Sequence, residues 1–310
     1  MEHAVLLMAY GGPSALADVE DYLRDVMGGR KPTPAMVEEV SARYARIGGR
    51  SPLLDITQAQ AGALEHHLNA VAMADRYRVY VGMRHWQPYI RQAVAAIARD
   101  GLRHVVALCM TPQYSRLSVG AYFQHLQQAQ ADLGAELDVT LIESWHAHPL
   151  LIQAMAENLD IARQGFAIEE REWVKVIFCG HSLPASIINE GDPYDAQLRE
   201  TASLVAERLN LAADAWQFCY QGAGRRPGAW LGPELEDVIV RLANAGHRHI
   251  LVAPVGFVAD HVETLYDIDI ECRALAAQHG AHLERMPSLN TSPTFIAALA
   301  NIVQQADSHE

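Results

Sequence analysis

Two stretches of this chain carry residue types that can hold a metal ion or move a proton. The first is Val174-Lys-Val-Ile-Phe-Cys-Gly-His181-Ser-Leu-Pro-Ala185, an apolar run that stops at a glycine with a histidine just beyond it. The second is Gly256-Phe-Val-Ala-Asp-His-Val-Glu263-Thr-Leu-Tyr-Asp267-Ile-Asp-Ile-Glu271, which follows the apolar run Ile250 to Val255. An α/β protein presents its chemistry in this way, at the carboxyl end of a buried strand. A lone histidine after a glycine also reads as a turn cap, and the Leu183-Pro184 step keeps the chain from entering a long helix at once. In the second stretch, a helix starting near Asp260, a good N-cap, would place Glu263, Asp267 and Glu271 at i, i+4 and i+8. Those positions share a face, with successive carboxylates about 6 Å apart. Like charges at that spacing cost a helix a few tenths of a kcal/mol per pair, so stability alone does not call for the row. It reads either as a solvated acidic face or as a path for a divalent cation, which oxygen ligands attract and pass on. His181 and Glu263 together form either a proton-accepting pair or a nitrogen and an oxygen offered to a metal.

The elements that must position these residues follow from the hydrophobic pattern. Ala4 to Ala9, Tyr77 to Val81, His104 to Met110 and Leu137 to Ile142 are short apolar strands. Helical spacing covers 15–27, a segment to about Ala45, 54–72, Pro88 to Arg99 and Ser118 to Leu133. Gly28-Gly29 ends the first helix, and Arg30-Lys-Pro-Thr-Pro34 is an extended connector. Such alternation indicates parallel sheets covered on both sides. The second half repeats the first: Gly101-Leu-Arg-His-Val-Val-Ala-Leu is matched by Gly246-His-Arg-His-Ile-Leu-Val-Ala, and each runs into a proline, Pro112 and Pro254. Leu6 to Gly11 and Ile177 to Ser182 also share the order strand, glycine, polar tip. The fold class is therefore α/β, with two similar Rossmann-like doubly wound domains, 1–150 and 151–310, facing a central cleft. A last helix over 293–306 is placed to cross back to the first domain.

Composition narrows the partners. The 310 residues are half hydrophobic and one-fifth charged, an ordinary globular balance, and the net charge of −13 disfavours nucleic acid and anionic lipid. Cys109, Cys179, Cys219 and Cys272 lie far apart with no CxxC pair, which reads as reduced thiols rather than a disulfide framework or zinc site. No basic-then-apolar leader opens the chain and no apolar stretch approaches the roughly 18 residues of a membrane span. A cytoplasmic location is expected. The pair His146-Ala-His148 invites a metal reading, but its spacing does not suit one helix face.

Gly180-His-Ser-Leu-Pro184 with Gly191-Asp-Pro-Tyr194, and Pro254 through Asp269, resemble the two signatures of the ferrochelatases. Val5 through Pro13, Gly48-Gly-Arg-Ser-Pro-Leu53, Thr111-Pro-Gln-Tyr-Ser115, Tyr220-Gln221 and Trp230-Leu-Gly-Pro233 extend the resemblance over nearly the whole chain. It implies two lobes around a porphyrin cleft and insertion of Fe²⁺ as substrate. His181 and Glu263 are then catalytic and metal-handling residues, and Asp267 and Glu271 an outer divalent-metal site. Tyr10 stands where the short monoderm-type enzymes carry a tyrosine that ligates or guides iron; without the resemblance, its ring reads equally well as packing. Arg43, Ser51 and Tyr122 match positions that bind the substrate's propionates, Arg84-His85 matches a basic residue followed by His, and Arg30 lies on the same basic loop. Close relatives carry arginines just before Arg30, where this chain has Met27 and Gly28. No prosthetic group is implied, and no [2Fe–2S] cluster, since no cysteine follows Cys272. A downstream haem-accepting enzyme is the expected partner, and nothing in the chain requires a dimer, so a monomer is expected. The tyrosine motif and the length favour coproporphyrin III as substrate. The alternatives are protoporphyrin IX, a cobalt or nickel chelatase, and a non-catalytic tetrapyrrole carrier, which would have no need of both His181 and Glu263.

Overall fold

The computed structural model describes residues 2–71, 76–224 and 228–307. Ala72, at the end of the helix expected over 54–72, and the outer ends of the two expected domains, Met1 and 308–310, lie outside these residues. Strands β1 (Glu2–Ala9), β2 (Arg76–Met83), β3 (His104–Cys109) and β4 (Asp138–Ile142) form one parallel sheet in the order β2-β1-β3-β4. Strands β5 (Lys175–His181), β6 (Trp216–Gln221), β7 (His249–Pro254) and β8 (His282–Arg285) form a second parallel sheet in the order β6-β5-β7-β8. The two orders are equivalent. The internal repeat falls accordingly: the segments beginning at Gly101 and Gly246 enter β3 and β7, and Leu6 to Gly11 and Ile177 to Ser182 contain the ends of β1 and β5.

Helices in the first half are α1 (Val19–Val26), α2 (Pro34–Arg46), α3 (Leu53–Val71), α4 (Ile90–Arg99) and α5 (Val119–Leu133). Then follow α6 (Pro149–Arg163), α7 (Ser186–Asn189), α8 (Tyr194–Arg208), α9 (Leu235–Asn244), α10 (Arg273–Gln278) and α11 (Pro293–Asp307). Because side chains alternate across a strand, each strand feeds two cores. Val5, Leu7, Val106 and Leu108 share one core with Val176, Phe178, Leu251 and Ala253, through Leu198 of α8 and Phe295 and Leu299 of α11. The opposite faces are closed by α4 and α5 on the first sheet and by α9 and α10 on the second. Apolar residues on both faces are why the strands read as unbroken runs. Helix α11 packs on α3 and α6 and touches β3 and β4.

Several local expectations change. The helix expected from residue 15 begins as a 3₁₀ turn at Leu16–Asp18, because Ala15 is extended, and α1 starts at Val19. Helix α4 starts at Ile90 rather than Pro88, since Tyr89 is extended and its N–H donates to the Gln92 side chain at 2.7 Å. The basic connector ends as anticipated in a helix start: Thr33 accepts from Met36 N–H at 3.3 Å, with Pro34 in the first turn. The largest departure is the acidic stretch. Glu263–Cys272 winds as a π-helix, with i→i+5 hydrogen bonds, and Asp260 does not cap it. Asp260 instead accepts from Ser288 Oγ at 2.8 Å and Asn290 Nδ2 at 2.9 Å and faces Arg285. Thr264 closes the helix start, its Oγ1 accepting from His261 N–H at 3.1 Å.

Candidate functional site

In each sheet the chain leaves the central strand in opposite directions, so the strand ends open a crevice between neighbours. In the second sheet β5 pairs with both β6 and β7. His181 is the last residue of β5, and Glu263 follows β7 at the head of the π-helix. Their side chains meet with Nδ1 of His181 3.0 Å from Oε2 of Glu263. The backbone is built for that contact. Tyr194 OH donates to the His181 carbonyl at 3.0 Å, and Ser182 N–H donates to the Gln221 carbonyl at 2.7 Å. Gln221 Nε2 donates to the Glu263 carbonyl at 3.3 Å, which ties the tip of β6 to the π-helix. Two glycines leave the necessary room. A Cβ on Gly180 would stand 2.7 Å from a Leu198 methyl, so only glycine lets α8 pack this close to the β5 tip. Gly222 has φ +71°, and a Cβ there would lie 2.8 Å from His181 Nδ1.

Electrostatics separates the two groups. Burial works to raise the Glu263 carboxyl, but the charge and hydrogen bond of His181 outweigh it and hold Glu263 well below the usual carboxylate range. Burial works to lower His181, and Glu263 outweighs it in turn, so the imidazole is raised above its ordinary value. The histidine turns Nδ1 toward the carboxylate, which leaves Nε2 directed elsewhere. Side-chain exposures of 35% and 29% keep it open to a ligand. His261, with Nε2 4.0 Å from Glu263 Oε2, is pulled below its ordinary value by burial and so supplies a neutral neighbour.

On the other side of the cleft, Tyr10 follows β1 and is 41% exposed. Its phenol is raised, chiefly by burial, with the Arg84 cation pulling it back. The Tyr10 ring lies 4.7 Å from that of His85. His85 is held in turn by Asp25 of α1, Nδ1 to Oδ1 at 2.7 Å, and Tyr89 OH donates to the other Asp25 oxygen at 3.2 Å.

The remaining expected residues divide. Arg43 of α2 is ion-paired with Asp267 and lies 5.1 Å over the Tyr266 ring, with Arg46 at 5.8 Å over the same ring. This joins α2 to the π-helix. Burial pushes the Asp267 carboxyl up to about 7, against the pull of Arg43. Glu271 is exposed. Among the described residues no group of three His, Cys, Asp or Glu side chains is arranged to hold a metal ion, so the three carboxylates do not converge. Ser51 is buried, and its Oγ accepts from Leu53 N–H at 3.3 Å. Arg30 is exposed and donates to its own loop at Met27 O. Tyr122 is buried beneath Arg84, whose guanidinium sits 5.6 Å over its ring. His146 bonds Ser144 and Glu200, and His148 bonds Asn301, so the two histidines part. All four cysteines are buried and free. Asp25, Arg46 and Gly222 escaped the sequence reading, as did the part played by Tyr266, which lies inside the second signature; the glycine follows Tyr220-Gln221.

This two-sheet architecture is the chelatase fold. The chain matches the structure "SirB from Bacillus subtilis with Fe3+" with a TM-score of 0.59 at 13% identity, covering 99% of this chain and 96% of that one. It matches the structure of CbiX, titled as the terminal enzyme for biosynthesis of sirohaem in denitrifying bacteria, with a TM-score of 0.52 at 14% identity over 98% and 99% of the chains. Sequence relatives are far closer. The ferrochelatase family model matches residues 2–307. A ferrochelatase of Deinococcus radiodurans is 41% identical over 97% of this chain and 95% of its own. A coproporphyrin III ferrochelatase of Geobacillus kaustophilus is 39% identical over 99% and 98%. The chain belongs to the ferrochelatase family, metal chelatases of the lyase class that insert Fe²⁺ into a porphyrin in haem biosynthesis. No helix among the described residues is long and apolar enough to cross a membrane.

Proposed function

We propose that the protein is a cytoplasmic, monomeric coproporphyrin III ferrochelatase, with 1–150 and 151–310 as the two walls of its porphyrin cleft. The observation that carries the choice of reaction centre is the 3.0 Å His181–Glu263 pair at the strand ends. Insertion removes two pyrrole protons as the divalent ion enters, so deprotonation must be coupled to metal approach. Glu263, kept ionised, attracts the cation and stabilises a protonated imidazole. Neutral His181 presents Nε2 to a pyrrole N–H or to the ion, taking the two protons one at a time and releasing each to solvent from its partly exposed ring. The pair therefore divides proton removal and metal handling on one face of the ring, and Tyr10 guides iron on the other. Asp267 and Glu271 form an outer station for a divalent ion, which must compete with Arg43 for Asp267. Iron is substrate here; no prosthetic group or [2Fe–2S] cluster is needed, and the product passes to a haem-accepting enzyme.

Coproporphyrin III carries four propionates and protoporphyrin IX two. The Geobacillus relative and the supply of arginines around the cleft (Arg30, Arg43 and Arg84) favour the former, since guanidinium groups bind carboxylates in a planar fork. Ser51 and Tyr122 support this set, Ser51 as a hydroxyl beside Arg43 in the family pattern and Tyr122 through Arg84. Anaerobic Fe²⁺ insertion into the two porphyrins, measured side by side, tests the reading. Faster turnover of coproporphyrin III is expected, and a higher kcat/KM for protoporphyrin IX overturns it.

A further inference from the structure

Two motifs of the sequence, Thr111-Pro-Gln-Tyr-Ser115 and Gly191-Asp-Pro-Tyr194, contribute no reacting group, yet they meet each other. The first follows β3 of the first sheet and leads toward α5; the second opens α8, which packs on the second sheet. Gln113 and Ser115 are fully buried. Gln113 Nε2 donates to the Val255 carbonyl, just past β7, at 3.2 Å and to Thr201 Oγ1 of α8 at 3.1 Å. Tyr114 N–H donates to the Gln197 side chain of α8 at 2.7 Å. Ser115 Oγ and Arg116 N–H both donate to one oxygen of Asp192, each at 2.9 Å. The other Asp192 oxygen accepts from Tyr194 N–H at 3.1 Å. Asp192 thus spends one oxygen on each half of the molecule, and hydrogen bonds to a carboxylate are about twice as strong as neutral ones. The neighbouring Arg116–Glu190 ion pair is exposed and adds little.

Both ends of this joint bear on the site. On the first side, the Ser115 carbonyl accepts from the N–H groups of Ser118 and Gly120 at 3.1 and 3.0 Å, which starts α5, and α5 carries Tyr122 beneath the Arg84 guanidinium. On the second, Tyr194 is the first residue of α8 and its hydroxyl donates to the His181 carbonyl at 3.0 Å. Burial raises the Tyr194 phenol, so it stays a donor at neutral pH. Leu198, one turn on, packs against Gly180 with no space for a Cβ between them. The contacts run without a break from Ser115 through Asp192 and Tyr194 to His181. The backbone of the histidine is therefore held by a tyrosine whose own place is set from the opposite half. We infer that Asp192 is a positioning residue for the insertion reaction: it ties the loop after β3 to Tyr194 and so fixes where His181 stands relative to the opposite wall of the cleft. This inference rests on the reading of His181 as part of the reaction centre.

The test measures kcat and KM for anaerobic Fe²⁺ insertion into whichever of the two porphyrins the wild type turns over faster, with the fold checked by circular dichroism. The variants are Ser115→Ala, Asp192→Asn, Tyr194→Phe and the double variant Ser115→Ala/Tyr194→Phe. Each single change breaks one link and leaves the His181 and Glu263 side chains in place. In each, kcat should fall about three- to tenfold, the scale of one hydrogen bond, with KM for the porphyrin within about twofold. Links of one chain are coupled, so the double variant should fall little further than the lower of its two parents. The His181 imidazole NMR signals should also shift in Ser115→Ala, although the serine touches neither that ring nor Glu263. Asp192→Asn keeps the size of the side chain and one carbonyl acceptor, and it carries the test if Ser115→Ala does not fold. A wild-type kcat with unshifted His181 signals in Ser115→Ala or Asp192→Asn overturns the inference. So do losses that multiply in the double variant, or a rise in KM as large as the fall in kcat. Insertion at the wild-type rate by His181→Ala overturns instead the reading on which the inference rests.

Discussion

Replacing Glu263 by glutamine preserves the shape of the side chain and removes only its charge. His181 should respond first. Burial pulls the imidazole down, while the charge and hydrogen bond of Glu263 hold it up, with Asp267 adding a smaller push. A hydrogen bond between charged partners contributes about 1.5–3 kcal/mol. The side chains remain 35% and 29% exposed, so solvent screening reduces that to about 1–1.5 kcal/mol. In the wild type His181 titrates above its ordinary 6.5, and in Glu263→Gln it should titrate lower, because burial is then no longer outweighed by the Glu263 charge. The sign for stability follows. A raised histidine contributes stability that is fully present below the unfolded value of 6.5 and is lost as pH rises through the folded value. The histidine part of the wild type's advantage over the variant should therefore shrink as pH climbs past 6.5 and through the raised folded value. Imidazole NMR titration of both proteins reads the shift directly. An unchanged His181 titration would refute the claim that Glu263 holds its proton.

Two further outcomes follow from the contacts around the pair. Asp25→Asn weakens the 2.7 Å anchor of His85 and so loosens Tyr10; it should lower kcat for iron insertion several-fold while KM for porphyrin moves little, and an equal rise in KM contradicts a role limited to positioning. For Asp267, pushed from 3.8 to about 7, the folded state binds the proton more tightly than the unfolded chain, so its ionisation costs stability increasingly as pH rises from about 4 through 7. Asp267→Asn should accordingly gain on the wild type between pH 5 and pH 8, by up to about 2.5 kcal/mol, while the lost Arg43 pair offsets the two proteins by a pH-independent amount; chemical denaturation showing a constant difference contradicts this.

Some of this molecule was readable from its sequence for plain physical reasons. Strands β1, β3, β5 and β7 are covered on both faces, so they appear as unbroken apolar runs, and the repeated segments at Gly101 and Gly246 lead into equivalent strands. His181 stood out because it follows such a run directly, and Glu263 because it heads an acidic stretch a short loop beyond one. What depended on distant partners stayed hidden. Asp260 looked like an N-cap by local rules, yet Arg285 at the end of β8 and Ser288 and Asn290 in the loop after it claim it. The even spacing of Glu263, Asp267 and Glu271 suggested a row of free carboxylates, whereas Arg43, far away in the chain, takes Asp267. The link from Asp25 through His85 to Tyr10 joins α1, the β2 tip and the β1 tip, and no local pattern marks it.

The most direct test of the central claim is anaerobic Fe²⁺ insertion into coproporphyrin III by His181→Ala, with the fold checked by circular dichroism and porphyrin binding measured on the same sample. The expected result is binding close to that of the wild type with insertion reduced by at least about a hundredfold, the scale of a lost general base. A folded His181→Ala protein that inserts iron at the wild-type rate would contradict the assignment of the His181–Glu263 pair as the centre of the reaction.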